Sequence, residues 1–258
     1  MGNPIPKLRQ VKEDVLTETT ERRGAGGFVE TVMRKFRNFG ILALMIPVTV
    51  VCTSAIGIAL IPSIYLVRFV FHFSHDMNPA LHYYLVGTSV ALGFIIYGIT
   101  LIFVVPFFNY LMPFRVREFR GIWYSLPAIP WYVHNAFTYI VRYTFLEFVT
   151  PSPLNLLFYR MMGMKIGKGV VINSTNISDP CMIELGDYVT IGGSAHLMAH
   201  YGQKGYLIIA PVKIGRATTI GLKASVMGGV TIGQECFIKP HSVVLPKTEL
   251  PDKTHFED

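Results

Sequence analysis

Charged residues are scarce in this sequence, and one long region almost lacks them. Only 15% of the 258 residues are Asp, Glu, Lys or Arg, and between Arg37 and Arg115 only Arg68 and Asp76 carry charge. The mean hydropathy is +0.43. This composition is too apolar for one ordinary soluble domain. The poorly charged region is also far longer than the ~20 residues that cross a bilayer, so the sequence predicts a membrane-embedded part.

Cysteine is also scarce, and no nucleic-acid motif is present. The three cysteines (Cys52, Cys181 and Cys236) are isolated and form no CxxC pair or disulfide framework, which favours reduced, structural thiols. The formal net charge is +7, but the basic residues cluster beside the apolar runs, as topology determinants do. We therefore expect no nucleic-acid partner.

Two apolar runs predict a transmembrane helical hairpin. The runs cover residues 40–71 and 84–112, and their short connector contains no Lys or Arg. Basic residues precede the first run and follow the second, so both ends of the hairpin are expected in the cytoplasm. We assign residues 1–37 to a polar cytoplasmic segment and residues 38–120 to the hairpin. A buried helical pair in a soluble protein is the alternative.

Residues 121–160 are rich in aromatic side chains and proline. Tryptophan, tyrosine and phenylalanine that alternate with Pro suit the headgroup layer or a re-entrant element. A third span over residues 122–141 is the alternative, and it would place the C-terminal domain on the other side of the membrane. The sequence favours the interfacial arrangement.

In residues 161–258 an aliphatic residue recurs at six-residue intervals, without interruption from Ile214 to Val244. A period of six fits neither a helix nor an alternating strand, but it fits a coil with three flat faces. The fold class predicted for the chain is therefore α+β: helices followed by a parallel β-helix. Its axial positions are Ile166, Ile172, Ile177, Leu185, Ile191, Leu197, Ile214, Ile220, Val226, Ile232, Ile238 and Val244.

The repeat has one large break, and two histidines lie at its start. The break covers residues 194–205, and regular coils resume at Ile208 or Ile214. Loops on a rigid scaffold often carry function. A histidine at the root of such a loop can act as a general base, since it titrates near neutrality and an acceptor can fix its tautomer. His200 and His196 are the two candidates, and Asp179 or Asp187 could orient one of them.

The order of motifs resembles a known enzyme family. The sequence "LGDYVTIGGSAHLMAH", then a loop, then "PVKIGRATTIGLKASVMGGVTIG" resembles the hexapeptide-repeat acyltransferases. The preceding "LLFYRMMGMKIGKGVVINSTNISDPCMIELGD" resembles the membrane-linked C-terminal region of poly-lysine-synthetase-like enzymes. The resemblance covers residues 156–252, and it implies a left-handed coil and a homotrimer with sites between neighbouring coils.

The resemblance also implies a reaction and a set of site residues. The donor would be acyl-CoA, the acceptor a hydroxyl or amine of a small or amphiphilic molecule, and no metal is expected. His200 would be the base, with His196 as the alternative, and the backbone N–H of Leu222 would bind the oxyanion. Residues expected near coenzyme A are Gly221, Lys223, Lys239 and Lys247. These lysines would equally suit anionic lipid headgroups.

Two departures from the family pattern leave other functions open. Gly228-Gly229 stands where relatives have Pro, and residues 238–247 differ from the usual last coil. One alternative is a zinc site of the γ-carbonic-anhydrase type, which would recruit His196, His200 and His241. Another is a non-catalytic membrane scaffold whose coil only trimerises.

Overall fold

The computed structural model describes residues 17, 20 and 23–257. The polar segment predicted for residues 1–37 therefore lies largely outside the described residues. Its final part forms helix α1 (Gly24–Lys35).

The two apolar runs form an antiparallel hairpin of long helices, α2 (Arg37–Phe73) and α3 (Pro79–Leu111). Asn78 caps α3, since its side-chain oxygen accepts a hydrogen bond from Ala80 N at 2.9 Å. The helices approach closely at Ser63, whose hydroxyl donates to Gly93 O at 2.6 Å. Within the described part of the chain, these two helices are long and apolar enough to cross a membrane. The predicted connector is shorter than expected, because α3 begins at Pro79.

The aromatic segment forms a packed connection between the hairpin and the C-terminal coil. It contains strand β1 (Phe119–Ile122), helix α4 (Ile129–Thr144) and helix α5 (Pro153–Met161). Short 3₁₀ turns at Leu126–Ala128 and Leu146–Val149 flank α4. The third span considered for residues 122–141 is not formed as one helix, because a strand and a turn precede α4. Among the aromatic side chains of residues 121–160, Tyr143 and Phe148 are exposed and the others are buried or half-buried.

Sixteen further strands follow, and fourteen of them build a three-sided parallel prism. Sheet 1 contains β2, β5, β10, β13 and β16; sheet 2 contains β3, β6, β11, β14 and β17; sheet 3 contains β4, β7, β12 and β15. The strands of the prism are Lys165–Ile166 (β2), Val171–Ile172 (β3), Ile177–Ser178 (β4), Ile183–Leu185 (β5), Thr190–Ile191 (β6), His196–Met198 (β7), Val212–Ile214 (β10), Thr219–Ile220 (β11), Ser225–Val226 (β12), Thr231–Ile232 (β13), Phe237–Ile238 (β14), Val243–Val244 (β15), Glu249–Leu250 (β16) and His255–Phe256 (β17).

The predicted axial residues stack in register. In sheet 3, Leu197 lies beside Ile177 in one rung and Val226 in the next, and Val226 pairs with Val244. All but Ile166 of the predicted axial side chains are buried. Burying each one contributes about 1.5–3 kcal/mol, so the hexad is the source of the core and the predicted β-helix is confirmed. The left-handed winding stays a prediction.

The corners of the prism require close backbone packing at some positions and a positive φ at others. A Cβ on Gly221 would lie 2.5 Å from Pro240 N in the next rung, so this glycine permits close stacking of rungs. Positive φ falls on other residues at six-residue intervals, and most of these residues are not glycine. In the regular rungs these are Ala217, Lys223, Gly229, Glu235, His241, Lys247 and Lys253.

The break in the repeat is an antiparallel hairpin of β8 (His200–Gln203) and β9 (Tyr206–Ile209). Strand β1 adds to it as a third strand. The expectation that regular coils resume at Ile208 is therefore wrong, because Ile208 belongs to β9. The alternative is right, since the coil resumes with β10, which ends at Ile214.

Helices α4 and α5 cover the open end of the first rung. Asn155 of α5 donates to Ile172 O at 2.8 Å, and Tyr139 of α4 lies 3.5 Å from the hydroxyl of Ser178. On the other side of α4, Phe145 occupies the space that a Cβ on Gly98 of α3 would fill. The cap therefore connects the apolar hairpin to the prism.

Candidate active site

The root of the inserted hairpin holds a buried carboxylate beside a histidine. Asp179, at the corner after β4, has no exposed surface. Its Oδ2 lies 2.5 Å from His200 Nδ1 and accepts a hydrogen bond from Ala199 N at 3.1 Å. Its Oδ1 accepts from Asn135 Nδ2 at 2.9 Å. The His200 side chain keeps 18% of its surface exposed.

This arrangement suits a histidine that works as a base. A buried carboxylate is costly unless hydrogen bonds and an opposite charge compensate it. Asp179 has backbone and side-chain donors and the imidazole as partners. The carboxylate favours a proton on His200 Nδ1, which leaves Nε2 as the lone-pair nitrogen. Within the described chain, no protein group hydrogen-bonds to that Nε2.

Aromatic rings surround the exposed side of the imidazole. The Trp131 ring of α4 meets His200 edge-on, with ring centroids 4.8 Å apart. Trp123 and Tyr132 pack on Trp131 at 5.6 Å and 4.9 Å. Trp131 Nε1 is buried, and no residue in the described part of the chain accepts its hydrogen bond. These rings limit the directions from which a substrate can approach His200.

Two other titratable groups near Asp179 stay neutral. Burial lowers the pKa of His134 to about 4, against a smaller opposing effect of Asp179. Burial raises the pKa of the Cys181 thiol to about 12, and Asp179 adds to that rise. Near pH 7 neither group can share the charge of Asp179, so His200 is its ionisable partner.

His196, the alternative base, lies in a different environment. It begins strand β7, its side chain is exposed on the outer face of sheet 3, and its backbone N donates to Ala224 O at 2.8 Å. No acidic partner of His196 is found among the residues that can be described. The geometry therefore favours His200 over His196.

The predicted site residues lie on two edges of sheet 3. Edge A joins sheet 2 to sheet 3 and comprises residues 173–176, 192–195, 221–224 and 239–242. Edge B joins sheet 3 to sheet 1 of the next rung and comprises residues 179–182, 199–211, 227–230 and 245–248. His200 lies on edge B, whereas Leu222 lies on edge A. One sheet face separates them, which is roughly 13 Å for four residues of strand. A single chain therefore does not bring them together.

The residues predicted to bind coenzyme A are divided in the same way. Gly221, Lys223 and Lys239 lie on edge A, and Lys239 Nζ is 3.6 Å from Glu257. Lys247 lies on edge B, where its backbone N donates to Gly228 O at 3.3 Å. Lys223 and Lys247 occupy positive-φ corners, with φ of 53° and 63°. Both have a structural position in addition to any binding role.

The sequence identified part of this site. Asp179 was one of two acids considered, and the other, Asp187, caps a corner by accepting from Lys168 N at 2.7 Å. Asn135 and Trp131 were missed as site residues. Asn135 lies 44 residues before its partner Asp179, and no local pattern links them. No group of three or more potential metal ligands is found in the described part of a single chain.

Comparison with known proteins gives distant similarities. No protein-family model matches. A curated relative, the delta-poly-L-ornithine synthetase of Acinetobacter baumannii, is 16% identical over 167 residues, which is 64% of this chain. This chain spans only 12% of the length of that relative.

Solved structures similar to this chain include acetyltransferases, one of which is described as containing hexapeptide repeats. One from Vibrio cholerae O1 biovar eltor, complexed with acetyl coenzyme A, is 27% identical with a TM-score of 0.31 and covers 35% of this chain and 52% of its own. A maltose O-acetyltransferase from Clostridium difficile 630 is 17% identical with a TM-score of 0.38, and the match covers 53% of this chain and 86% of that chain. A serine acetyltransferase from Neisseria gonorrhoeae is 17% identical with a TM-score of 0.29, and the match covers 73% of each chain.

Proposed function

We propose that this protein is a membrane-attached acyltransferase that moves an acyl group from acyl-CoA to a hydroxyl or amine of a small or amphiphilic acceptor. The observation that carries the proposal is the Asp179–His200 pair at the one interruption of the prism. A purely structural prism has no need for a buried carboxylate held against a partly exposed imidazole. The order of sequence motifs around this pair supports the same reaction.

The geometry suggests how the chain's own groups would act. His200 Nε2 takes the proton of the acceptor hydroxyl or amine, whose lone pair attacks the thioester carbonyl. Asp179 stabilises the imidazolium that forms. The oxyanion of the tetrahedral intermediate accepts a hydrogen bond from the backbone N–H of Leu222. When the C–S bond breaks, the imidazolium returns its proton to the leaving thiolate, and free coenzyme A departs.

Two copies of the chain are needed to bring these groups together. His200 on edge B and Leu222 on edge A lie on opposite sides of one sheet, and the same holds for Lys247 and Lys223. In a cyclic trimer, edge B of one subunit can face edge A of the next. Each interface would then hold one imidazole, one oxyanion donor and lysines for the phosphates of acyl-CoA.

The hairpin is the proposed membrane anchor, with the prism and both chain ends on the cytoplasmic side. From Pro79 to Gly98, α3 has 20 residues, or about 30 Å, which is the thickness of the hydrocarbon core. Phe145 packs where Gly98 lacks a side chain. With this anchor, the end of α4 would lie at the near surface of the bilayer, where the interfacial segment is expected.

The test is release of free coenzyme A from acetyl-CoA by the purified full-length protein, supplied with either a total lipid extract or a water-soluble extract. We expect release that depends on one extract and disappears in His200→Ala. If neither extract supports release and acetyl-CoA does not bind, the non-catalytic scaffold is the better description. Stoichiometric zinc in the purified trimer would favour the carbonic-anhydrase alternative.

A further inference from the structure

A polar pocket of about 500 Å³ lies on edge A, between the cap and the first two rungs. One wall comes from α4 and the turn after it, with Arg142, Tyr143 and Glu147. The other wall is formed by the corners at residues 173–176 and by Gly193 and Ser194. Neither the sequence motifs nor the catalytic proposal assigns a role to this pocket.

The pocket adjoins the groove proposed for acyl-CoA. Lys223 N donates to Gly193 O at 2.9 Å. A Cβ on Gly193 would lie 3.0 Å from Leu222 Cδ1. The floor of the pocket therefore lies directly against Leu222, the proposed oxyanion donor. A molecule held in the pocket would be next to the thioester carbonyl.

The chemistry of the walls suits a charged, hydrogen-bonding head group. Arg142 donates to the Asn176 side chain and lies over the Tyr143 ring, with 5.0 Å from Cζ to the centroid. Glu147 accepts a hydrogen bond from the Thr175 hydroxyl. These contacts hold one guanidinium and one carboxylate in place. A planar guanidinium binds phosphate oxygens well, and a carboxylate can accept hydrogen bonds from an amine or hydroxyl.

Exposed aromatic residues connect the pocket to the hairpin. Tyr143, in the wall, is 72% exposed, and Phe148, next to Glu147, is 67% exposed. Phe148 packs edge-on against Phe94 of α3, with ring centroids 5.8 Å apart. An apolar tail that leaves the pocket can therefore run along the outside of the hairpin, where Phe94 is also exposed.

We propose that this pocket binds the phosphate-bearing head group of a membrane lipid, with its tail along Phe148 and Phe94. The proposal rests on the acyltransferase function above and makes the acceptor a lipid. Arg142 binds the phosphate, and Glu147 accepts a hydrogen bond from the amine or hydroxyl of the head group. That nucleophile lies beside Leu222 of the same subunit and faces His200 of the neighbouring one.

Photocrosslinking in nanodiscs tests the pocket without requiring turnover. Benzoylphenylalanine replaces Phe148, and the nanodiscs contain equal amounts of phosphatidylethanolamine and diacylglycerol. The same crosslinker at Leu92, an exposed residue of α3 inside the proposed span, samples the surrounding lipid. We expect the ratio of phosphatidylethanolamine to diacylglycerol adducts to be about fivefold higher at residue 148 than at residue 92, because one basic side chain contributes about 1 kcal/mol to the binding of an anionic group.

Variants then assign the preference to Arg142. Arg142→Gln should bring the ratio at residue 148 to that at residue 92, whereas Arg142→Lys, which keeps the cation, should retain most of the preference. Arg160→Gln is the matched control, since Arg160 is exposed on α5 and bonds to Ile166 O and Gly167 O. Equal ratios at the two positions, no effect of Arg142→Gln, or capture of coenzyme A in place of lipid would overturn the proposal. Release of coenzyme A from acetyl-CoA, measured on the same samples, reports separately on the acyltransferase function.

Discussion

The two edges of sheet 3 share the same rungs but are built differently. Edge A has regular four-residue corners on a repeating backbone, and the cap contacts only its first two corners. Edge B is interrupted by the β8–β9 hairpin, and there α4 supplies Asn135 and Trp131 to a buried carboxylate and an imidazole. The difference shows how a repetitive fold acquires chemistry. The regular rungs provide rigidity, and the break provides space for groups from outside the repeat.

The largest expected effect separates the two candidate bases, His200 and His196. His200→Ala should reduce acyl transfer by about 10³-fold to 10⁴-fold, since it removes the general base. His196→Ala should change the rate by no more than about threefold, because His196 is exposed and none of the described residues gives it an acidic partner. The measurement is release of free coenzyme A, with light scattering to confirm assembly. The reverse ranking would make His196 the base.

The next largest effect concerns the support of His200. Asp179→Asn should reduce the rate by about 10²-fold, because an amide cannot stabilise the imidazolium. Asn135→Ala should have a smaller effect of about tenfold, because the backbone N–H of Ala199 still holds the carboxylate. The rate as a function of pH distinguishes positioning from general damage. A uniform loss at all pH values, with no change in the shape of the profile, would contradict a role through His200.

The free energy of unfolding should decrease at acid pH because of His134, a buried histidine of α4. The pKa of His134 is lowered to about 4 by burial, from an ordinary 6.5. Between these values the unfolded chain binds a proton that the folded chain does not, so stability is full above pH 6.5 and falls toward pH 4. The loss is roughly 2–3 kcal/mol.

Unfolding at pH 7 and pH 5 measures this loss. His134→Gln should flatten the pH dependence between those values, although it lowers the stability at pH 7. The control is His241→Asn. His241 is exposed on edge A and has a positive φ that Asn also tolerates, so this variant should leave the pH dependence unchanged. Equal slopes for the parent and His134→Gln would show that another group titrates.

The smallest expected effect tests whether the corner lysines bind acyl-CoA. Lys223→Gln and Lys247→Gln should each raise the KM for acetyl-CoA by about threefold to tenfold, as the loss of one phosphate contact requires. Their kcat should stay within about twofold. Lys253→Gln is the control, since Lys253 occupies an equivalent positive-φ corner away from both edges. An equal rise in all three variants would indicate a general effect of surface charge.

The prism was predictable because its pattern is local. Each rung repeats the same demand for an aliphatic residue every six positions, so the axial stack can be read from Ile214 to Val244 without knowledge of other contacts. The hairpin was predictable for a similar reason, because long apolar runs need few assumptions. The arrangement of residues 121–160 could not be predicted, because the position of α4 depends on its contacts with the first rung and with α3.

The site was predictable only in part. His200 was found because it lies at the break in the repeat. Its separation from Leu222 was not evident, because the insert at residues 199–211 interrupts the count of hexads that assigns residues to edges. The contact of Asn135 with Asp179 joins two elements 44 residues apart. Such tertiary contacts leave no periodic signal in a single sequence.

The central claim is that His200 of one subunit works with Leu222 of its neighbour, and mixed trimers test it most directly. His200→Ala and Leu222→Pro, which removes the backbone N–H, are each expected to be inactive as pure trimers. Co-assembled in equal amounts, they should recover about a quarter of the parent activity, since one interface in four then holds both native groups. Mixed trimers that remain inactive, although they assemble, would place both groups within one subunit and contradict the account.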